Sequence, residues 1–296
     1  MEQTILQINS LSKNYGSVKA LSDFSCKIEA GKTYGILGPN GSGKTTTLGI
    51  VLGVINASEG NYSWFGGSTL NKNKHRIGAL LETPNFYPYL SAYKNLDVVA
   101  AIKQITNPKI DEVLDFVGLE KWKNAAFKSF SLGMKQRLAI ASTLIADPEV
   151  LILDEPTNGL DPEGIADVRK LITAIGQKGK TIILASHLID EVEKVCTDVI
   201  ILKSGKTIES GSIYEVLKGD DTIEIAADDL NSLSNILKSI SIIKSFKKVN
   251  DKISVSLNKG NTAAELNKAI FEKGIVLSHL FVKKKKLEEQ FLELIK

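Results

Sequence analysis

Apolar and polar residues alternate over residues 4–9 and 24–28, the two-residue period of half-buried strands. A short unbroken apolar run, Tyr34-Gly35-Ile36-Leu37, ends in a glycine-rich loop, and the pattern turns helical from about residue 44 to 54. Residues 61–65 and 77–81 read as further strands. From Ser91 the character changes. Ser91 is placed to cap a helix running to about residue 104, and Asn107-Pro108 has the cap-then-proline start of another. A third spans about 132–146, until Asp147-Pro148 stops it. Strand character resumes at Val150-Leu151-Ile152-Leu153, followed by a helix (162–176), a strand (181–185), a helix (188–195) and a strand (199–202). Strands alternating with helices predict an α/β fold with a mainly parallel sheet covered on both faces.

Past about Gly219 the punctuation differs, because no proline occurs beyond Pro162 and the elements shorten. Residues 222–226, 245–249, 252–256 and 275–281 read as strands, and 229–240, 262–273 and 287–294 as helices. That order, β-α-β-β-α-β plus a helix, predicts a small C-terminal α+β domain of ferredoxin-like type. The chain thus divides into 1–218, with a helical block at about 87–147, and 219–296. Two domains suit a length of 296 residues.

Composition narrows the classes. With 43% apolar and 24% charged residues the chain is globular, which excludes disorder, collagen and coiled-coil rods. Its 37 basic and 34 acidic residues leave a net charge of +3, too even for a nucleic-acid partner. Cys26 and Cys196 are the only cysteines and lie far apart, which disfavours a disulfide scaffold or zinc cluster and fits a reducing compartment. The opening Met1-Glu2-Gln3-Thr4 has no leader character, and no apolar run approaches a membrane span. These features predict a soluble cytoplasmic protein.

Gly38-Pro39-Asn40-Gly41-Ser42-Gly43-Lys44-Thr45 fits G-x-x-x-x-G-K-[ST] in full, between a predicted strand and helix. In such a loop successive backbone N–H groups turn inward around phosphate oxygens, helped by the helix N-terminus. Lys44 is expected to reach the β- and γ-phosphates and Thr45 to ligate Mg²⁺, with Thr46 beside them. Farther on, an apolar strand delivers Asp154 and Glu155 to a sheet edge. Asp154 is placed to hold Mg²⁺, and Glu155 to take a proton from attacking water. Taken singly, these are a glycine turn and a strand ending in solvated acids. Their succession in one chain favours nucleotide hydrolysis.

Between the two lies Ser129-Phe130-Ser131-Leu132-Gly133-Met134-Lys135-Gln136-Arg137. This segment resembles the signature of ATP-binding-cassette (ABC) ATPases, usually written L-S-G-G-Q. Leu132 replaces the first glycine and Met134-Lys135 precede Gln136, while the phosphate-facing Ser131 and Gly133 remain. The resemblance implies a RecA-like P-loop core with an inserted helical subdomain. It further implies ATP and Mg²⁺ as cofactors and a head-to-tail homodimer, in which Ser131 and Gly133 grip the ATP held by the partner. Glu155-Pro156-Thr157-Asn158-Gly159-Leu160-Asp161-Pro162 matches the run from the catalytic glutamate into the D-loop, where Asp161 would cross the interface. His187 resembles the switch histidine that contacts the γ-phosphate, so Lys44, Glu155 and His187 form the implied catalytic set. Tyr15 matches the aromatic that stacks on adenine. Glu82 stands where the family usually has glutamine, and would reach the metal or its water as an anion.

Glu82 and the Ser-Leu-Gly-Met-Lys-Gln signature are similar to those of bacitracin-resistance and lantibiotic self-protection exporters. The implied role is an ATPase subunit on the cytoplasmic face of the membrane, powering an export permease on a separate chain. Rival readings are a soluble ABC ATPase acting on nucleic acid or ribosomes, and an ATP-dependent regulatory module. Single-cassette length and weak net charge oppose the first, and intact Glu155 and His187 the second. The run Lys283-Lys284-Lys285-Lys286, followed by Glu288 and Glu289, reads as a solvated charged face.

Overall fold

The computed structural model describes residues 3–67, 70–81, 85–216, 222–258, 260–283 and 291. Backbone contacts divide the chain into one unit ending at Ile213 and a second beginning at Tyr214. The expected boundary at 218/219 falls in the undescribed stretch 217–221, and of the closing helix expected at 287–294 only residue 291 is among the described residues.

The first unit opens with a hairpin, β1 (Thr4–Tyr15) and β2 (Val18–Glu29), followed by β3 (Thr33–Leu37), α1 (Lys44–Val51) and β4 (Glu59–Trp64). Strands β2, β1 and β4 form a three-stranded antiparallel sheet. Both hairpin strands outrun their apolar alternation. Ser10 and Asp23 take left-handed φ values of 48° and 51°, and the register shifts between Ile8 and Leu11. Such irregularities reset the inward face, so a strict two-residue period ends at residue 9 although the strand continues.

After α2 (Leu70–Asn73) and β5 (Ile77–Leu80) comes the helical block: α3 (Ala92–Ile102), α4 (Ile110–Phe116) and α5 (Leu132–Leu144). Ser91 caps α3 by accepting from the Lys94 N–H. The expected cap at Asn107 is corrected. Asn107 sits at φ 55° in a turn and α4 starts at Ile110, after Lys109. The chain then alternates through β6 (Val150–Asp154), α6 (Pro162–Gln177), β7 (Thr181–Ser186), α7 (Ile189–Val195), β8 (Asp198–Lys203) and β9 (Lys206–Ser212), ending in α8 (Ile213–Val216). Strand β9, too polar to stand out in the sequence, pairs antiparallel on the sheet edge.

The main sheet has the order β5-β6-β7-β3-β8-β9, parallel except for β9. Its central strands are buried throughout and feed two apolar layers in alternation. Val150, Ile152 and Ile183 pack with Phe24, Leu48 and Trp64, while Leu151, Leu153, Ile182 and Leu184 pack with Leu96, Leu114, Leu138 and Ile172. An unbroken apolar run is what a sheet covered on both faces requires.

The second unit contains β10 (Thr222–Ala226), α9 (Leu230–Leu237), β11 (Ile243–Val249), β12 (Lys252–Leu257), α10 (Ala263–Phe271) and β13 (His279–Lys283). Its antiparallel sheet runs β11-β12-β10-β13, so each β-α-β pair brackets a strand of the other. Ile223, Ile225, Ile253 and Val255 face Leu233, Leu237, Leu266 and Ile270. Asp229 caps α9, and a Thr262–Glu265 capping box opens α10. The strand expected from residue 275 starts only at His279.

Helix α7 lies close against β3. A Cβ on Gly35 would come within 2.4 Å of Val192 Cγ1 and 3.1 Å of Cys196 Sγ. Val192 is β-branched and has little freedom to turn aside. Gly35→Ala is therefore expected to destabilise the first unit by about 1–3 kcal/mol, the usual range for overpacking. Thermal unfolding measures this, and an unchanged Tm would mean that the helix has room to move.

Candidate functional site

Three neighbouring parallel strands end side by side. Leu37 of β3 is level with Ser186 of β7, and Asp154 of β6 with Ala185 of β7. The next residues are Gly38, His187 and Glu155, so strand register alone brings the phosphate-type loop, the histidine and the acidic pair to one edge. The carboxyl end of a parallel sheet is where open α/β folds bind ligands. The loop is tied down by Gly38 N–H to the Ser186 carbonyl (3.4 Å) and by Gly205 N–H to the Ser42 carbonyl (2.9 Å).

Within the loop Pro39, Asn40 and Gly41 are exposed, while Ser42 and Gly43 are buried. Gly43 has φ 106°, and a Cβ there would sit 2.6 Å from the Ala20 carbonyl oxygen, so glycine is required on both counts. Helix α1 then begins at Lys44, with Thr45 exposed and Thr46 half-buried.

Lys44 is 6% exposed. Its Nζ donates to the carbonyls of Gly38 (2.8 Å) and Pro39 (3.3 Å) and pairs with Glu155 Oε1 at 3.3 Å. Three protons thus have three partners. Thr45 Oγ1 donates to Asp154 Oδ2 at 2.7 Å, joining the helix start to the end of β6. Glu155 adopts φ 46°, left-handed backbone that costs a non-glycine residue about 1–2 kcal/mol. Its Oε2 lies 2.8 Å from His187 Nδ1 and accepts from the His187 backbone N–H at 3.4 Å. A carboxylate only accepts, so Nδ1 carries the ring proton in this contact. Lys44, Thr45, Asp154, Glu155 and His187 therefore form one connected group.

Ser131, Gly133 and Asp161 form a second group. They border an open depression of about 400 Å³ with Arg137, Gly159 and Gly164, and no phosphate-loop residue lines it. Ser131 caps α5 by accepting from Met134 N–H, and Asp161 caps α6 by accepting from Gly164 N–H. Tyr15 stands 48% exposed at the end of β1, with the Lys13 ammonium 5.0 Å from its ring centre. Glu82 lies outside the described residues.

Behind the first group are polar residues to which the sequence motifs assign no role. Thr157, Ser186 and Glu191 are each buried. Burial pushes the Glu191 carboxyl above the ordinary glutamate value, with Thr157, Arg169 and Ser186 pulling it back. The sequence signal is faint, a glutamate on the inner side of a short helix four residues past His187. Both thiols are free, and burial drives Cys26 up to about 12 and Cys196 upward too, which disfavours the thiolate form.

Residues 21–158 match the family described as ABC transporter. The chain is 37% identical over 298 residues to the bacitracin transport ATP-binding protein BcrA of Bacillus licheniformis, covering 99% of this chain and 97% of that one. It is 40% identical over 204 residues to the lantibiotic transport ATP-binding protein SrtF of Streptococcus pyogenes, covering 69% and 89%. Its backbone resembles cbiO1 from Clostridium perfringens, part of the ABC transporter complex cbiONQ, with a TM-score of 0.65 and 32% identity over 73% of this chain and 91% of that one. It also resembles MJ0796, a bacterial ABC transporter cassette solved as a dimer, with a TM-score of 0.64 and 26% identity over 71% and 99%. The chain belongs to the ABC family, as the ATP-binding and ATP-hydrolysing subunit of a transporter.

Proposed function

We propose that this subunit powers export of peptide antibiotics, such as bacitracin or lantibiotics, through a permease on another polypeptide. The linked Lys44–Glu155–His187 group at the strand ends carries the hydrolytic part of the reading. The names of BcrA and SrtF support the cargo. A separate membrane chain is supported by the absence, among the described residues, of any helix long and apolar enough to cross a bilayer. The reading places the subunit at the cytoplasmic membrane face. Nothing in the relatives' names favours nucleic acid or ribosomes.

In the mechanism we assign, Lys44 exchanges its contacts with the Gly38 and Pro39 carbonyls for β- and γ-phosphate oxygens. The loop N–H groups and the start of α1 hold the remaining phosphate charge. Tyr15 stacks on the base. The Thr45 hydroxyl and Asp154 carboxylate are hard oxygen donors already 2.7 Å apart, a fit for Mg²⁺, which would neutralise charge on the β- and γ-phosphates. Glu155 accepts a proton from the attacking water as the bond from the γ-phosphorus to the bridging oxygen breaks. His187 orients Glu155 and contacts the γ-phosphate. Because Ser131, Gly133 and Asp161 lie in a separate depression, a second copy would bring its signature group against the first copy's nucleotide, giving two sites per homodimer.

Glu155→Gln is expected to retain ATP binding while turnover falls about 10²–10⁴-fold, the range for loss of a general base. Gel filtration of this variant with ATP should show a dimer, whereas near-normal turnover would remove Glu155 as the base. Lys44→Ala should lower turnover about 10²–10³-fold, as for removal of one preorganised charge donor. Phosphate release that matches the parent protein would end the phosphate-loop assignment. For the cargo, cells in which Lys44→Ala replaces the parent subunit should become more sensitive to bacitracin or a lantibiotic. Equal sensitivity to both would sink the export reading and leave the ATPase untouched.

A further inference from the structure

The buried polar residues behind the hydrolytic group have no part in the chemistry described so far. Glu191, on α7, is 4% exposed, and Ser186 Oγ donates to its Oε2 at 3.4 Å. The same Ser186 oxygen accepts from Leu188 N–H at 3.0 Å, so the backbone on both sides of His187 is held from one point. Thr157, two residues beyond Glu155, is 3% exposed. Thr157 Oγ1 and Glu191 Oε1 are both buried without a hydrogen-bond partner, yet the hydroxyl is near enough to lower the carboxyl's proton affinity. Arg169 of α6 adds its charge to the same carboxyl and pairs with Asp190 at 3.2 Å. The charge of Glu155 also reaches Glu191.

A buried carboxyl is costly to keep, and an apolar side chain would pack here with less desolvation. What the carboxyl supplies is a bridge. One oxygen accepts from Ser186, in the turn that carries His187, and the Thr157 hydroxyl, in the turn that carries Glu155, acts on the same carboxyl. We propose that Glu191 is a positioning residue for ATP hydrolysis, tying the turn after β7 to the turn after β6 and so keeping His187 Nδ1 and Glu155 Oε2 at 2.8 Å. This rests on the ATPase site described above and adds to it a residue that touches neither nucleotide nor metal. Misplacing a reacting group by about 1 Å costs up to about 10²-fold in rate, so a small slackening of the two turns is enough to be seen.

The test uses the full chain with Glu191→Ala and Glu191→Gln. Three readouts are taken: kcat and KM for ATP, Tm, and the His187 ring resonance by NMR at fixed pH. That resonance is one of only three from histidine. Alanine should lower kcat about tenfold or more with KM within about threefold, and should move the His187 resonance. Glutamine keeps an acceptor toward Ser186 and gains a donor toward Thr157. It should restore kcat to within about threefold of the parent and return the resonance. The proposal is overturned if alanine leaves kcat within about twofold, if the His187 resonance stays put, or if glutamine is no better than alanine. Should Glu191→Ala fail to fold, the near-isosteric Thr157→Val removes one end of the bridge. It is expected to lower kcat and move the resonance likewise, and a silent Thr157→Val also overturns the proposal. A parent protein without ATP turnover would fault the ATPase site instead, so the two failures can be told apart.

Discussion

An ammonium group withdrawn from water must find lone pairs or an anion for each of its protons. Lys44 meets this demand with two carbonyls of its own loop and the Glu155 carboxylate, and Glu155 in turn holds His187. The cation thus fastens the turns after β3, β6 and β7 together. Breaking a buried pair by removing one member leaves an uncompensated charge, which is strongly destabilising. In the mechanism proposed above, a phosphate group would take over these contacts, because it offers negative charge and several acceptors. On that proposal the same latch between the three turns would also receive the phosphates.

That latch needs the three strands to end level. Here polarity cannot set the register, since both faces of the main sheet are apolar and a shifted strand would still bury apolar side chains. Close backbone contacts do it instead. Gly35 lets α7 rest on β3, and Gly78 lets β5 approach the Thr143 carbonyl, where a Cβ would lie 2.5 Å away. A slip by one residue would bring a side chain to each of these points, and would put Asp154 or Pro156 where Glu155 meets Lys44. In the three-stranded antiparallel sheet the choice is made by alternation, as in β1 with Ile8 and Leu11 inward across a bulge.

The sequence was legible where chemistry demands neighbours. Lys44 and Thr45 must follow their glycines directly, Asp154 and Glu155 must be adjacent at a strand end, and Ser131 must open a helix, so each shows as a contiguous string. The side-chain cap at Ser91 could also be read, whereas the cap that Asp161 provides to α6 was not. What stayed hidden depends on tertiary placement. The bulges at Ser10 and Asp23 interrupt the alternation that defines a strand, and β9 is an edge strand whose polar residues face water. Asn107 resembles a cap, but it takes a left-handed turn conformation that asparagine tolerates equally well. Thr157 falls inside the run that follows Glu155 but has no role assigned there, Ser186 and Glu191 have ordinary side chains, and only burial makes the three conspicuous.

In the proposed homodimer, Ser131 would belong to half of a site that a second copy completes. Its hydroxyl oxygen is already used, accepting the Met134 N–H that opens α5. Its proton remains available, because a hydroxyl donates once and accepts twice. Capping therefore fixes the direction of the hydroxyl without consuming the donor a phosphate would need. Helix α5 adds the partial positive charge of a 13-residue helix start, and Gly133 leaves open space, with nothing within 4 Å of the position its Cβ would take. Such a surface suits an anion, yet no phosphate-loop residue of the same chain borders it. In the proposed homodimer a nucleotide bound on the other copy would bring phosphate to it, so assembly would depend on the ligand that hydrolysis removes.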